Sequence, residues 1–570
     1  MSENKVTVFG KNAEERLEIL RDEKGNILLT DDQKRAVLER GRILVSASAG
    51  SGKTSTMVKR IIVMISEGAT LKNLLVLVYN NAAADELKEK LHQELFKAAC
   101  ASSGEKRDRF RQEIDELPFC HICTIHAFCQ SLIRENFDKL GISPTFDVLD
   151  ETRHASYMNR ALDDVIATYT ASGDETFCEL ADIFSQSRKE ENLKSNLIKF
   201  YGLIEIQPDE EEFERCVSEC YDSYENSKFF AILQDYYKTF FANAKNALLP
   251  IKTQLEVLAP ASKYLQSLAV AICFCDELES KSRLFDMCAL ASKYEKPRAT
   301  VSPKASDEEK LLVGYVKDYL KQFHDAIDEM KEICNRQDSL ESAHEQNAKY
   351  VKKLVEVAQT FAKKLEELKQ EDNVLSFEDL QHKALELLSH DEYELLGDFD
   401  AVFVDEYQDV NPTQEAIIRK LVKGECFMVG DVKQSIYGFR LADPAIFISR
   451  QNAYEESVKE GTNVYFNRNF RSAYGILDFV NGVFDSAMTK ASADVDYKKD
   501  ARFELKDVAP VKLEGVSPEG YVQVHLFVKQ KSESVPSFGL YDIEKDEGEE
   551  DDEASSQEGN FIASEIQKLV

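Results

Sequence analysis

The stretch Ile43–Thr54, ILVSASAGSGKT, constrains this chain more than any other. Ile43-Leu44-Val45 reads as a buried parallel strand. A loop of small residues follows, then Lys53-Thr54, then an amphipathic helix from about Ser55 to Ser66. A strand, a small-residue loop and a helix N-terminus together form a phosphate cradle. Small residues let backbone N–H groups turn inward, the lysine neutralises phosphate charge, and the hydroxyl ligates Mg²⁺. Ala47 stands where the G-x-x-x-x-G-K-[ST] pattern has its first glycine, while Gly50 and Gly52 remain. The competing reading is a chance glycine-rich turn, which the flanking strand and helix oppose. Nucleotide binding is thus expected, with no indication yet of its use.

A chain of 570 residues should hold about three or four domains. Its 43% apolar content supports large globular cores. No apolar run is long enough for a membrane span, and the N-terminal MSENKVTVFGKNAEERLEIL lacks a secretory apolar region. Twelve scattered cysteines suit a reducing compartment, so the reading is cytoplasmic. The net charge of −32 by itself opposes a nucleic-acid partner. A narrow basic channel can nevertheless coexist with acidic outer faces. An acidic loop over about 531–558, densest at Asp542–Glu558, reads as disordered.

Along the chain, residues 1–29 read as a helical or irregular extension. Thr30 or Asp31 then caps a helix leading to the first strand. Leu74–Val78 is a second buried strand, followed by a helix over Ala82–Leu95, so strand and helix alternate as in an α/β domain with a parallel sheet. CHICTIHAFCQSLIRENF, from Cys120, reads as a short strand entering a helix. Its Cys120, His121, Cys123, His126 and Cys129 suggest zinc, but no second Cys/His pair follows at finger-like distance, and no metal is expected there. Cys216, Cys220, Cys273 and Cys275 read as small buried hydrophobes in helices. From about 150 to 370 glycine is scarce and apolar residues recur at three and four. Phe229-Phe230-Leu233-Tyr236-Tyr237-Phe240 and Leu354-Val355-Val357-Ala358-Phe361-Leu365 are examples of an all-helical insertion.

The α/β pattern returns at Leu375. Ala401-Val402-Phe403-Val404 reads as a buried strand ending in Asp405-Glu406. Four apolar residues followed by two carboxylates suit a metal-holding acid and a base that activates water. The alternative, an acidic strand end at the surface, is weakened by the upstream phosphate loop. A further strand, Cys426–Val429, leads to Gly430–Arg440, where Gln434 could sense a γ-phosphate and Phe439 with Arg440 could hold a base and its phosphate. Asn467–Ser472 opens a helix near Tyr474–Phe484 and carries Arg471 at an arginine-finger position. A strand over Tyr521–Val528 and a helix start at Asn560 follow, and the pattern at Val570 reads as that of a longer protein's N-terminal part.

LVSASAGSGKT, YNNAAADELKEKL, CTIHAFCQSLIRENF, VDEYQDVNPTQEAI, FMVGDVKQSIYGFRLADPAIF and NRNFRS occur in that order. Together they resemble the superfamily 1 DNA helicases of the UvrD/Rep type, and most of all the AddA-type helicase–nuclease subunits. Motif coverage is good over Leu29–Asn136 and Leu375–Asn481. The resemblance implies an α/β fold: a RecA-like P-loop NTPase lobe (1–150 and 371–460), a large all-helical insertion (151–370) and the start of a second RecA-like lobe (461–570).

The resemblance also implies roles. Gln33 would read adenine and Phe470 would pack near it. Ala47, Ser48, Ala49, Gly50, Ser51, Gly52, Lys53, Thr54 and Ser55 would surround the ATP phosphates, with Mg²⁺ on Thr54 and Asp405. Lys53, Asp405, Glu406 (the base), Gln434 and Arg471 would form the catalytic set. Tyr79 and Phe439 would stack on bases, while Asn81, Thr124, His126 and Arg440 would contact the strand. His126 also has an ordinary reading as a satisfied interior histidine. Asn80 replaces the usual threonine and Ser55 a frequent arginine.

The expected partners are single- or double-stranded DNA ends and an AddB-like protein in a heterodimer, with no membrane. The expected activity is ATP-dependent 3′→5′ translocation in double-strand-break repair, with an exonuclease only beyond Val570. The rivals are a stand-alone UvrD-like helicase, a DNA-binding subunit with an inactive ATPase and a small-molecule P-loop kinase. The last leaves the helical insertion and the Gln434–Arg440 phrase unexplained.

Overall fold

The computed structural model describes residues 13–505, apart from 23, 185–189, 225–226, 304, 391–398, 458 and 490–495, together with Val522. The strand expected over Tyr521–Val528 (Val522 apart), the acidic loop and the helix start at Asn560 lie outside the described residues. Two compact units divide the chain. One combines the described residues up to Gly141 with those from Leu380 onward; the other is Ile142–Asp379.

The strands, in chain order, are β1 (Arg42–Ala47), β2 (Leu74–Val78), β3 (His121–Thr124), β4 (Asp147–Val148), β5 (Val374–Leu375), β6 (Ala401–Val404), β7 (Glu425–Gly430) and β8 (Thr462–Phe466). Six of them form one parallel sheet in the order β3-β2-β6-β7-β1-β8. The sequence of β2, LLVLV, is buried throughout. Helices cover a parallel sheet, so its strands need unbroken apolar runs rather than alternation. In β1, Val45 lies opposite Val429 on one side and Val464 on the other.

The helix Lys53–Ser66 buries Met57, Ile61, Ile62 and Ile65 in the sheet's core. Its Arg60 is also buried. The guanidinium donates to the Ala36 and Glu39 carbonyls (2.7 and 2.6 Å) and to Glu425 at 3.0 Å. Burial lowers its pKa to about 10, against the opposing pull of Glu425. A buried cation with these acceptors ties the helix both to the segment before β1 and to β7.

Parallel strands carry all their C-terminal ends to one edge. Residues following β1, β2, β3, β6, β7 and β8 therefore emerge together, although they come from positions 48, 79, 125, 405, 431 and 467 of the chain. This edge is the usual place for a ligand on an open α/β sheet.

The second unit is helical, apart from the two-residue β4–β5 pair. Its helices include Glu151–Ser172, Lys228–Leu258, Asp307–Asn335 and Gln337–Glu371. One core gathers Leu162, Val165, Leu197, Phe361 and Leu365; another gathers Phe241, Phe274, Leu320 and Phe323. Val357, Ala358, Phe361 and Leu365 form a buried stripe, as their spacing predicts. In Lys228–Leu258 the stripe differs: Tyr237 and Phe241 are buried, whereas Phe229, Leu233 and Tyr236 are exposed. The aromatic run is wider than one helical face, so part of it must face outward.

Three boundaries move relative to the sequence expectation. Residues 142–150 and 371–379 belong to the helical unit, because β4 and β5 pair there. The boundary at 460/461 fails as well, since β8 pairs along β1 as the sixth strand of the first sheet. Of the cysteines expected inside helices, Cys275 is buried, Cys273 is exposed, and Cys216 and Cys220 lie between. Among the described residues no helix is long and apolar enough to cross a membrane.

Candidate nucleotide and nucleic-acid site

The loop after β1 turns through Gly50 and Gly52, at φ +70° and +86°. Both values lie in the left-handed region, where glycine costs least. Ala47 needs no such freedom, because it is still in β1, paired with Phe466. That accounts for alanine at the motif's first position. Ser48 and Ser51 are buried, and Ser51 Oγ has no hydrogen-bond partner among the described residues. A buried hydroxyl without a partner, beside a helix N-terminus, suits an anion.

Gln33 is held by a capping box. Its backbone N–H donates to Thr30 Oγ1 (3.2 Å), and its side-chain carbonyl accepts from the Thr30 N–H (3.0 Å). Its amide Nε2 donates to the Ser51 carbonyl at 2.9 Å, so here it supports the loop's backbone. Asn469 Nδ2 donates to the Ala49 carbonyl (2.7 Å), and the Phe470 N–H donates to the Gly50 carbonyl (2.9 Å). A Cβ on Gly50 would lie 2.7 Å from Arg471 Cβ. The Asn467–Ser472 segment is therefore docked on the loop, with Phe470 and Arg471 exposed. Ser55 is exposed on the helix that begins at Lys53, and Thr54 sits in its first turn.

Lys53 Nζ reaches Glu406 Oε2 at 2.8 Å. Glu406 has φ +48° and ψ +46°, a left-handed conformation that is uncommon for a side-chain-bearing residue and is found at constrained sites. Asp405 ends β6. Burial, followed by the charge of Glu406, raises its carboxyl pKa to about 6 despite Lys53. Gln408 links both acidic strand ends: its Nε2 donates to Glu406 (3.0 Å) and Asp409 (3.1 Å), while its Oε1 accepts from the Asp431 N–H at 2.8 Å. Asp431 in turn accepts from Gln434 Nε2 at 2.7 Å and Lys433 Nζ at 2.6 Å. A Cβ on Gly430 would meet Gln408 Oε1 at 2.5 Å, so glycine is needed for this approach.

The raised Asp405 pKa has a testable sign. Between pH 4 and 6 the folded chain holds a proton that the unfolded carboxyl has released, so this stabilising contribution is lost as pH rises through about 6. Asp405→Asn removes the titration. Its stability relative to the parent protein is expected to increase by about 1 kcal/mol from pH 5 to pH 7. Urea unfolding of both proteins at the two pH values measures this difference; an unchanged difference would contradict the shift.

On the same edge, Tyr79 stacks on Tyr437, with centroids 4.8 Å apart. Arg440 donates to Tyr79 OH at 3.0 Å and lies over the Tyr437 and Phe439 rings. Phe439 is 77% exposed and Ile436 is 69% exposed. An exposed row of aromatic faces with an adjacent guanidinium suits single-stranded nucleic acid.

Asn80 Oδ1 caps the helix Asn81–Ala101 by accepting from the Ala83 N–H (2.7 Å). Asparagine serves as a cap at least as well as threonine, which explains that substitution. Asn81 is exposed in the first turn. Thr124 caps the helix Ile125–Glu135 through the Ala127 N–H at 3.2 Å. His126 Nε2 lies 3.1 Å from Gln381 Nε2, and Gln381 Oε1 accepts from Asn411 at 3.2 Å. This half-buried histidine is thus part of an internal polar chain. Among the described residues, segment 120–129 joins no group of three metal-ligand atoms.

The structure brings together Gln33, the loop residues from Ala47 to Ser55, Asp405, Glu406, Gln434, Phe470 and Arg471 around one strand edge. Tyr79, Phe439 and Arg440 form a second group, while Thr124 and His126 take local structural partners. Sequence reasoning missed Gln408, Tyr437 and Asn469. Each lies within two residues of one already singled out, but it also contacts a segment distant in sequence: Asp431, Tyr79 and Ala49 respectively.

A family model described as the UvrD/REP helicase N-terminal domain matches residues 29–256 and 253–455. A protein of Enterococcus faecalis (strain ATCC 700802 / V583), named as the A subunit of an ATP-dependent helicase/nuclease, is 30% identical over 509 residues, covering 84% of this chain and 40% of that protein. The protein of the same name from Bacillus velezensis (strain DSM 23117 / BGSC 10A6 / LMG 26770 / FZB42) is 30% identical over 576 residues, covering 95% and 45%. The Staphylococcus haemolyticus (strain JCSC1435) protein of that name is 26% identical over 564 residues, covering 95% and 44%. This chain therefore spans less than half the length of these relatives.

Proposed function

This chain belongs to the UvrD/REP helicase family, and from that premise we propose that it carries the ATP-driven motor of a DNA helicase–nuclease. In this reading the six-stranded sheet is a RecA-like lobe, and the chain after β8 leads to a second. The motor moves 3′→5′ on single-stranded DNA at a double-strand break, in the cytoplasm, partnered by an AddB-like protein. The observation that carries the reading is the joining of two groups at one sheet edge: the Lys53–Glu406 pair over the phosphate loop, and the Tyr79–Tyr437–Arg440 stack.

The loop's left-handed glycines, the Ser51 hydroxyl and the hard oxygen donors of Thr54 and Asp405 fit an Mg²⁺-nucleotide. Bound Mg²⁺ would neutralise phosphate charge during phosphoryl transfer. Lys53 exchanges its carboxylate partner for phosphate oxygens. Glu406, thus released, orients and deprotonates the attacking water. Gln434, linked through Asp431 and Gln408 to Glu406, couples the phosphate end of the cleft to Tyr437 and Phe439, three and five residues further on. Arg471 stabilises charge on the transferred phosphate. Changes at Gln434 alter how the stacked aromatics hold successive bases, so hydrolysis is converted into steps along the strand.

The test is ATP hydrolysis by the full-length protein with and without single-stranded DNA. Strong stimulation by DNA is expected, and Lys53→Ala should abolish turnover. Equal rates with and without DNA would defeat the motor reading. Phe439→Ala is expected to weaken single-stranded DNA binding by about 1–3 kcal/mol while leaving nucleotide affinity unchanged. Fluorescence anisotropy with a labelled oligonucleotide measures it, and undiminished affinity would remove Phe439 from the DNA path.

A further inference from the structure

The helical unit contains a cluster that the motor does not use. His154 lies in the first turn of the helix Glu151–Ser172, Glu205 is the last residue of Glu190–Glu205, and Glu378 lies in the first turn of Phe377–Ser389. One potential ligand atom from each lies within 4.8 Å of the other two. His154 Nδ1 is 3.9 Å from Glu378 Oε2. The surroundings are largely closed: Glu205 is 7% exposed, and the side chains of His154 and Glu378 are 15% and 31% exposed. His154 Nε2 and Glu378 Oε2 are both buried from solvent and lack hydrogen-bond partners among the described residues. The nearby Lys369 is committed to Asp379 at 2.7 Å, and Asp379 also accepts from the Ser376 N–H.

Two glutamates and an imidazole converge from three helices in largely closed surroundings, and two of the polar atoms there, His154 Nε2 and Glu378 Oε2, accept or donate no hydrogen bond among the described residues. Native proteins rarely leave such atoms without a partner. We propose that His154, Glu205 and Glu378 bind a divalent first-row cation of the Zn²⁺ type, fastening together the three helix ends. An imidazole with two carboxylates suits Zn²⁺ better than Mg²⁺, which prefers oxygen ligands and retains its waters. Tetrahedral coordination at ~2.05 Å separates ligand atoms by about 3.4 Å, close to the His154–Glu378 approach, with water completing the set. The cation joins the helix that begins just after β4 to the one that begins just after β5. None of these three residues belongs to the proposed nucleotide group, so the proposal holds whether or not the protein is a motor.

The experiment uses the purified protein after chelator treatment, without nucleotide. Zn²⁺ is titrated against a chromophoric competitor into the parent protein and into His154→Ala and Glu378→Gln. The parent is expected to bind one equivalent more than either variant, or to bind that equivalent at least about 100-fold more tightly, since even loss of an outer-sphere partner costs 10–100-fold. Zn²⁺ should also raise the melting temperature of the parent but not of the variants. The twelve free cysteines are rival ligands. Co²⁺ in the parent protein distinguishes them without any variant: a nitrogen/oxygen set gives a d–d spectrum without thiolate charge transfer. Equal stoichiometry and affinity in parent and variants would overturn the proposal, as would a thiolate-dominated Co²⁺ spectrum.

Discussion

Glu406→Gln is expected to reduce DNA-stimulated ATP turnover by about 10²–10⁴-fold, the range for removing a general base. ATP affinity should stay the same or tighten. Lys53 Nζ is 2.8 Å from Glu406 Oε2, so an incoming phosphate competes with that carboxylate for the ammonium. Glutamine keeps the shape but gives up the charge, leaving Lys53 to the phosphate. The side chain is 32% exposed, so little of the fold depends on it. Single-turnover hydrolysis and nucleotide-binding titrations separate the two effects. Turnover within tenfold of the parent would assign the base to another group, and Asp409, whose carboxyl burial raises to about 6, would be the next candidate.

Arg471→Ala is expected to cost about 10³–10⁵-fold in turnover, as loss of an arginine finger does in other phosphoryl-transfer sites. The side chain leaves a segment held directly on the phosphate loop by Asn469 and the Phe470 N–H. Arg471 Cβ thus lies against the glycine loop, 2.7 Å from where a Cβ on Gly50 would be. Arg471→Lys keeps the charge but loses the planar fork, and should recover only part of the rate. A loss confined to nucleotide affinity, with turnover at saturation intact, would make Arg471 a binding residue.

Much of this site was legible because each part has a local physical signature. An apolar run, then small residues, then Lys53-Thr54 can be read without tertiary information. So can Val404 giving way to two carboxylates. The Ala47 substitution was visible as a departure, but its harmlessness was not, since that depends on β1 continuing through it against Phe466. Thr124 and His126 show the opposite limit. A threonine before a helix and a nearby histidine are compatible with a nucleic-acid contact or with a cap and an internal hydrogen bond, and the local sequence is the same in both cases.

By itself the sequence determined the kinds of element and the chemistry at their ends: which runs are buried strands, which loop can cradle phosphate and which strand ends carry acids. Tertiary structure decided what those ends meet. Arg42–Ala47 pairs with residues more than 370 positions away, at 426–430 and 462–466. No local pattern encodes that register, because a buried apolar strand accepts many similar neighbours. Only the completed sheet sets the Gln408 amide between Glu406 and Asp431, Tyr437 against Tyr79, and Arg471 over Gly50. Hydrogen bonds and ring contacts act over a few ångströms, and folding alone brings such distant segments that close.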